Sequence, residues 1–133
     1  MKRAVIDTNI YTDLMNGRLP VRNVLAEYDR LLLPVTVFGE LLYGFTYGAK
    51  EADNRMQLER FLSRDFVEMV SVSRPIAEYY ALLMTSLRKN GTPLPTNDVW
   101  IAALACSEKV PLVSRDRHFL NITGLQVIIP ETM

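Results

Sequence analysis

The chain has 133 residues, 49% of them hydrophobic, and its 15 basic and 15 acidic side chains give a formal net charge of zero. This length and composition are sufficient for one domain with a substantial core, and we predict a single domain over residues 1–133. The charge balance argues against a protein that coats nucleic acid through a generally basic surface. It leaves open an enzyme that meets phosphate through a bound divalent cation.

The cysteine count and the apolar runs predict where the protein resides. Cys106 is the single cysteine, so no internal disulfide can form. The N-terminal segment MKRAVIDTN contains a very short apolar run before Asp7, which does not fit a signal peptide. No apolar run approaches the roughly 20 residues of a membrane span. We therefore expect a cytoplasmic protein that makes no contact with membranes.

Short apolar runs recur along the chain and are typical of buried strands, and the segment 66–70 instead alternates loosely between apolar and polar residues, as a strand does. They predict strands over residues 4–6, 31–33, 66–70, 111–114 and 126–129. Cap residues, first-turn prolines and apolar residues at helical spacing mark the segments between them. These signals predict helices over about 10–16, 20–28, 36–47, 51–64, 75–89 and 98–109. Alternating strands and helices indicate an α/β fold, with a mainly parallel sheet of four or five strands flanked by helices.

Four acidic residues are placed by this pattern at one edge of the sheet. Asp7 directly follows the first strand, and Asp116 directly follows the fourth. Glu40 enters the helix after the second strand, and Asp98 begins the helix that leads into the fourth. Parallel sheets bind ligands beyond the carboxyl ends of their strands. Carboxylates at close range repel unless a metal or protons relieve them, and oxygen-only ligands favour Mg²⁺ or Mn²⁺.

Three of these acids have a simpler explanation when each is taken alone, whereas Glu40, with apolar neighbours in the sequence, fits a surface glutamate less well. Asp98 is typical of an acid that interacts with a helix dipole, and Asp7 is typical of an Asx turn. Asp116 fits a solvated turn acid paired with Arg115 or Arg117. The shared position at strand ends, more than any single residue, indicates a site.

Four segments in chain order resemble the motifs of the PIN-domain ribonucleases of the VapC toxin type: AVIDTN, TVFGELLYG, TNDVWIAALA and PLVSRDRHF. The resemblance runs from end to end of the chain and implies a PIN-like fold. It implies that the catalytic and metal-binding residues are Asp7, Glu40, Asp98 and Asp116, with Mg²⁺ as the cofactor and Mn²⁺ as an alternative. It also implies that the flanking residues that orient this cluster are Thr8, Asn9 and Ser114.

The same resemblance implies a divalent-metal-dependent endoribonuclease, a toxin held inactive by a cognate antitoxin protein. Arg115 and Arg117 are candidates for guiding the RNA backbone, although each is equally typical of a neutral surface position. Two alternatives stay open. One is a PIN nuclease in RNA maturation without an antitoxin. The other is a non-catalytic module that binds RNA or protein and uses the acids only as caps and turns.

The predicted helix over residues 36–47 has more large apolar and aromatic side chains than one core-facing stripe can bury. They are Leu41, Leu42, Tyr43, Phe45 and Tyr47. We expect some of them to form an exposed patch that receives an antitoxin segment or a second protomer, and hence a homodimer. The alternative is a thick core beneath a long helix.

Overall fold

The computed structural model describes residues 1–131, so the last two residues of the predicted domain lie outside the described part. Within these residues the five strands are Arg3–Ile6 (β1), Arg30–Pro34 (β2), Val67–Val70 (β3), Leu112–Val113 (β4) and Val127–Ile128 (β5). The α-helices are Thr8–Met15 (α1), Leu19–Leu25 (α2), Val35–Thr46 (α3), Glu51–Leu62 (α4), Arg74–Lys89 (α5) and Thr96–Glu108 (α6). A 3₁₀ helix follows β4 at Arg117–Asn121.

All the strand pairings are parallel, in the order β3-β2-β1-β4-β5. The central strand β1 has Val5 opposite Leu32 of β2 on one side and Leu112 of β4 on the other. The chain therefore builds outward from β1 through β2 to β3, and then returns to add β4 and β5 on the opposite side. The gap between the carboxyl ends of β1 and β4 is the topological switch point, where parallel sheets bind ligands. The predicted parallel α/β fold is confirmed, with five strands.

The sheet centre and the middle of α6 make up much of the core, because the side chains in both are apolar on all faces. In β1, Ala4, Val5 and Ile6 are fully buried, as the central strand of a two-sided parallel sheet requires. Helix α6 buries Val99 and the run 101–105, and its alanines leave room for close packing. Its Trp100 ring stacks on Tyr80 of α5, with ring centroids 3.9 Å apart. These contacts fix the helix whose first turn contains Asp98.

No helix within residues 1–131 combines the length and the apolar character needed to cross a membrane.

Lys109 ends α6 in the left-handed conformation, at φ 56° and ψ 45°. A side chain in that region costs about 1–2 kcal/mol, whereas glycine adopts it without a steric penalty. We expect Lys109→Gly to raise the free energy of unfolding by about 0.5–1 kcal/mol, after the extra entropy of glycine in the unfolded chain is subtracted. Thermal melting measures the change. Lys89→Gly, in the last turn of α5, is the control and should melt lower. A lower melting temperature for Lys109→Gly would contradict the expectation.

Candidate active site

Asp7 lies at the junction of β1 and α1, and only 5% of its surface is exposed. One carboxylate oxygen, Oδ1, accepts a hydrogen bond from the backbone N–H of Thr8 at 2.7 Å, so Asp7 caps α1. The other, Oδ2, accepts from the Ser114 hydroxyl at 2.7 Å and from the Asn9 side-chain amide at 3.1 Å. Burial raises the pKa of Asp7, and these three hydrogen bonds oppose the rise. The carboxylate is therefore costly to ionise but firmly oriented.

Asn9 and Ser114 connect Asp7 to the loop that follows β4. The Asn9 side-chain oxygen accepts a hydrogen bond from the backbone N–H of Arg115 at 3.0 Å. Ser114 is fully buried, and its hydroxyl oxygen accepts from the backbone N–H of Asp116 at 3.0 Å. The polar residues that flank the acids thus join the end of β1 to the end of β4.

Glu40 reaches the same edge from the second turn of α3. Its Oε1 accepts a hydrogen bond from the Thr8 hydroxyl at 3.2 Å, and the side chain is half-buried. Burial raises the pKa of Glu40, the Thr8 hydrogen bond opposes the rise, and the charge of Asp7 adds to it. Glu40 and Asp7 are therefore close enough to repel, with Thr8 in contact with both.

Asp98 is the third residue of α6 and is also half-buried. Burial, followed by the negative charges of Asp7, Asp116 and Glu40, raises its pKa to about 6. The charges of the other three acids all act on Asp98, so the four carboxylates lie close enough to interact electrostatically. Each of the four comes from a different element or junction of the fold.

Asp116 caps the 3₁₀ helix, and its side chain contacts a residue of that helix. Its Oδ1 accepts a hydrogen bond from the backbone N–H of His118 at 2.9 Å and lies 2.8 Å from Nδ1 of the same residue. Within residues 1–131, no group of three or more His, Cys, Asp or Glu side chains stands ready to hold a metal ion. The four acids therefore interact through their charges, while protein donors occupy several of their oxygens.

Arg115 and Arg117 have different environments. The Arg115 guanidinium makes two contacts with the carboxylate of Asp13, at 2.5 Å and 3.3 Å. Arg117 is exposed at the start of the 3₁₀ helix. Sequence reasoning missed Asp13, which is only 3% exposed. The sequence pattern that could have indicated Asp13 was its spacing of one helical turn from Asn9. The residues next to Asp13 in the sequence did not indicate that it is buried.

The apolar residues of α3 divide between the core and the surface. Leu41 is buried, whereas Tyr43 and Tyr47 are 65% and 76% exposed. The two tyrosine rings meet edge to face with their centroids 5.1 Å apart, and their hydroxyls are 2.8 Å apart. The prediction that some of this set lies exposed is confirmed.

Residues 4–125 match the family model of the PIN domain. Ribonuclease VapC2 of Rickettsia felis is 32% identical to the chain over 126 residues, which cover 91% of this chain and 92% of that protein. Ribonuclease VapC5 of Mycobacterium tuberculosis is 28% identical over 120 residues, which cover 90% and 87%.

Solved structures of similar chains have the same fold. A chain in the crystal structure of VapBC2 from Rickettsia felis, bound to a DNA fragment from its promoter, has a TM-score of 0.86 and 28% identity, and the match covers 97% of this chain and 99% of that one. A chain of VapBC-1 from nontypeable Haemophilus influenzae has a TM-score of 0.85 and 26% identity, with 96% and 97% covered. The resemblance predicted from the four sequence motifs is confirmed.

The pKa of Asp98 makes a pH-dependent contribution to stability in the absence of metal. Its value of about 6 lies above the ordinary 3.8, so the folded protein binds this proton more tightly than the unfolded chain does. The stabilising contribution is therefore complete below about pH 4 and is lost as the pH rises towards about 6. We expect Asp98→Asn to reduce the fall in the free energy of unfolding between about pH 4 and about pH 7, measured by urea unfolding in chelator.

The control for this prediction is Asp65→Asn. Asp65 is exposed and precedes β3, at the opposite edge of the sheet. This variant should keep the pH dependence of the wild type. Identical pH profiles for wild type and Asp98→Asn would contradict the raised pKa of Asp98.

Proposed function

The chain belongs to the PIN domain family, and from this premise we propose that it is a divalent-metal-dependent endoribonuclease and the toxin of a toxin–antitoxin pair. Its relatives named Ribonuclease VapC support cleavage of RNA phosphodiester bonds. The observation that carries the proposal is the placement of the four acids at one edge of the sheet, where hydrogen bonds connect Asp7 to Ser114 after β4 and Glu40 to Thr8 after β1. Burial and the charges of Asp7, Asp116 and Glu40 also raise the pKa of Asp98. Acids that served only as caps and turns would have no reason to share one neighbourhood.

The residues that would hold the ion are Asp7, Glu40, Asp98 and Asp116. Oxygen donors of this kind fit Mg²⁺, and Mn²⁺ as an alternative. The pKa values of Asp7, Glu40 and Asp98 are all raised, so negative charge is unfavourable here and a cation would relieve it. When bound, a divalent ion supplies hydroxide near neutral pH and neutralises charge on the scissile phosphate.

The acids contribute differently to this site. Asp7 is already oriented by hydrogen bonds from Thr8, Asn9 and Ser114, so it would be the most firmly positioned ligand. Glu40, which accepts a hydrogen bond from Thr8 through one oxygen, would complete the ligand set or orient the attacking water. Arg117 is exposed and is the better candidate of the two arginines for contact with the RNA backbone.

The proposed partner is a small antitoxin protein that holds the nuclease inactive. Two of the similar solved structures are of VapBC, and one of these contains a DNA fragment from the promoter. In this chain the exposed rings of Tyr43 and Tyr47 give α3 an apolar surface that a partner can cover. The homodimer expected from the composition of α3 and the location in the cytoplasm stay predictions.

The first test of the function is metal-dependent cleavage. Purified protein should cut single-stranded RNA in Mg²⁺ or Mn²⁺ and stop in excess chelator. Asp7→Asn should lower the rate by roughly 10²-fold or more, since it removes a charged ligand. The asparagine side chain in this variant removes one negative charge, but its NH₂ group faces the hydrogen-bond donors that surround Asp7. The free energy of unfolding without metal should therefore change by only about 1 kcal/mol.

Asp65→Asn is the matched control and should cut RNA at the wild-type rate, because Asp65 lies at the far edge of the sheet. Cleavage that survives thorough chelation would refute the metal mechanism. No cleavage of any RNA by a folded wild type would favour the non-catalytic binding module.

The second test concerns assembly. We expect sedimentation velocity to give a species of twice 15.2 kDa at micromolar concentration, because exposed aromatic residues on α3 favour association. A monomer at every concentration would refute the homodimer.

Co-expression with the product of an adjacent small reading frame should give a stable complex that no longer cuts RNA. A free and fully active nuclease in that experiment would favour RNA maturation without an antitoxin.

A further inference from the structure

Asp13 is a buried carboxylate outside the group of four acids. It lies near the end of α1 with only 3% of its surface exposed. Arg115 contacts both its oxygens, Nε to Oδ2 at 2.5 Å and Nη2 to Oδ1 at 3.3 Å. Arg18 approaches Oδ1 less closely, at 3.7 Å. A buried carboxylate is costly without such a partner, so this two-point contact holds Arg115 firmly against α1.

The contact acts on the segment that contains Asp116. Asn9 and Asp13 are four residues apart and therefore lie on the same face of α1. Asn9 accepts a hydrogen bond from the backbone of Arg115, and Asp13 binds its side chain. Two successive turns of α1 thus fix one residue of the loop, and that residue lies between Ser114 and Asp116 in the chain.

The surroundings of Arg115 argue against a contact with RNA phosphate. A cavity of about 270 Å³ beside it is also lined by Arg18, Asp13 and Glu131. Two arginines and two acids leave this cavity without excess positive charge, and both arginines already approach Asp13. A phosphate would have to displace the buried carboxylate from its partners.

We propose that Asp13 is a positioning residue that acts through Arg115 to hold the segment 114–116 on α1 and so keeps the Asp116 carboxylate beside the other three acids. The inference rests on the proposed function for its consequence, which is metal binding. The placement of the segment can be measured without any metal or RNA.

The first measurement is amide hydrogen exchange in the metal-free protein. In Asp13→Asn and in Arg115→Gln, the backbone amides of Arg115 and Asp116 should exchange about tenfold faster or more, because the loop opens more often. Amides of β1 and β2 should keep their wild-type rates. Arg18→Gln is the matched control, since Arg18 also approaches Asp13 but lies outside the segment. It should leave exchange at residues 115 and 116 unchanged.

The second measurement is Mn²⁺ affinity without RNA, by electron paramagnetic resonance. Asp13→Asn and Arg115→Gln should each bind Mn²⁺ about 10–100-fold more weakly, as removal of outer-shell support does in metalloproteins. The double variant should be no weaker than either single variant, because both changes break one contact. Arg18→Gln should bind Mn²⁺ as the wild type does.

Unchanged exchange at residues 115 and 116, or unchanged Mn²⁺ affinity in a protein whose wild type binds the ion, overturns the positioning role. A raised KM for RNA in Arg115→Gln with both measurements unchanged assigns Arg115 to the substrate instead. Faster exchange in a protein whose wild type neither binds Mn²⁺ nor cuts RNA overturns the proposed function and leaves the positioning intact. If Asp13→Asn does not fold, Arg115→Gln, at a half-exposed side chain, provides the same test.

Discussion

The structure depends on the burial of one carboxylate, that of Asp7, at the switch point between β1 and β4. A buried anion needs donors, and the chain supplies them from Thr8, Asn9 and the distant Ser114. The same donors are shared with the loop after β4, whose backbone binds Asn9 and Ser114 in turn. The hydrogen bonds that stabilise the Asp7 carboxylate therefore also hold the end of β1 against the end of β4, although the two strands are far apart in the sequence. The other acids are placed relative to that junction.

Charge accumulation at this edge works against the fold in the absence of a cation. The pKa values of Asp7, Glu40 and Asp98 are all raised, with burial as the first cause in each. The protein thus keeps unfavourable carboxylates where apolar residues would be more stabilising, as functional sites commonly do. By contrast, the buried carboxylate of Asp13 is compensated by arginine. The acids at the carboxyl ends of β1 and β4 therefore differ from Asp13, whose negative charge is paired with arginine.

The strands, the helices and the edge that holds the acids could be predicted from the sequence, because each depends on local signals. Apolar runs bounded by turn residues marked β1 and β2, and the parallel arrangement followed from their alternation with helices. Other features could not be predicted in this way. Asp13 and Arg115 meet across 102 residues, and no local pattern encodes such a pairing. The hydrogen bond of Asp116 to His118 and the 3₁₀ helix that it begins also depend on side-chain orientation that periodicity does not describe.

The strand order has a consequence for the nascent chain. The central strand β1 is synthesised first, yet its partner β4 pairs Leu112 with Val5 and arrives more than a hundred residues later. Until then β1 has one unpaired edge, and Ser114 and Asp116 have not been made. A ribosome-bound chain therefore exposes an aggregation-prone strand edge but lacks the residues needed to complete the acid group. The group of four acids can therefore assemble only after Asp116 has been synthesised and β4 has paired with β1.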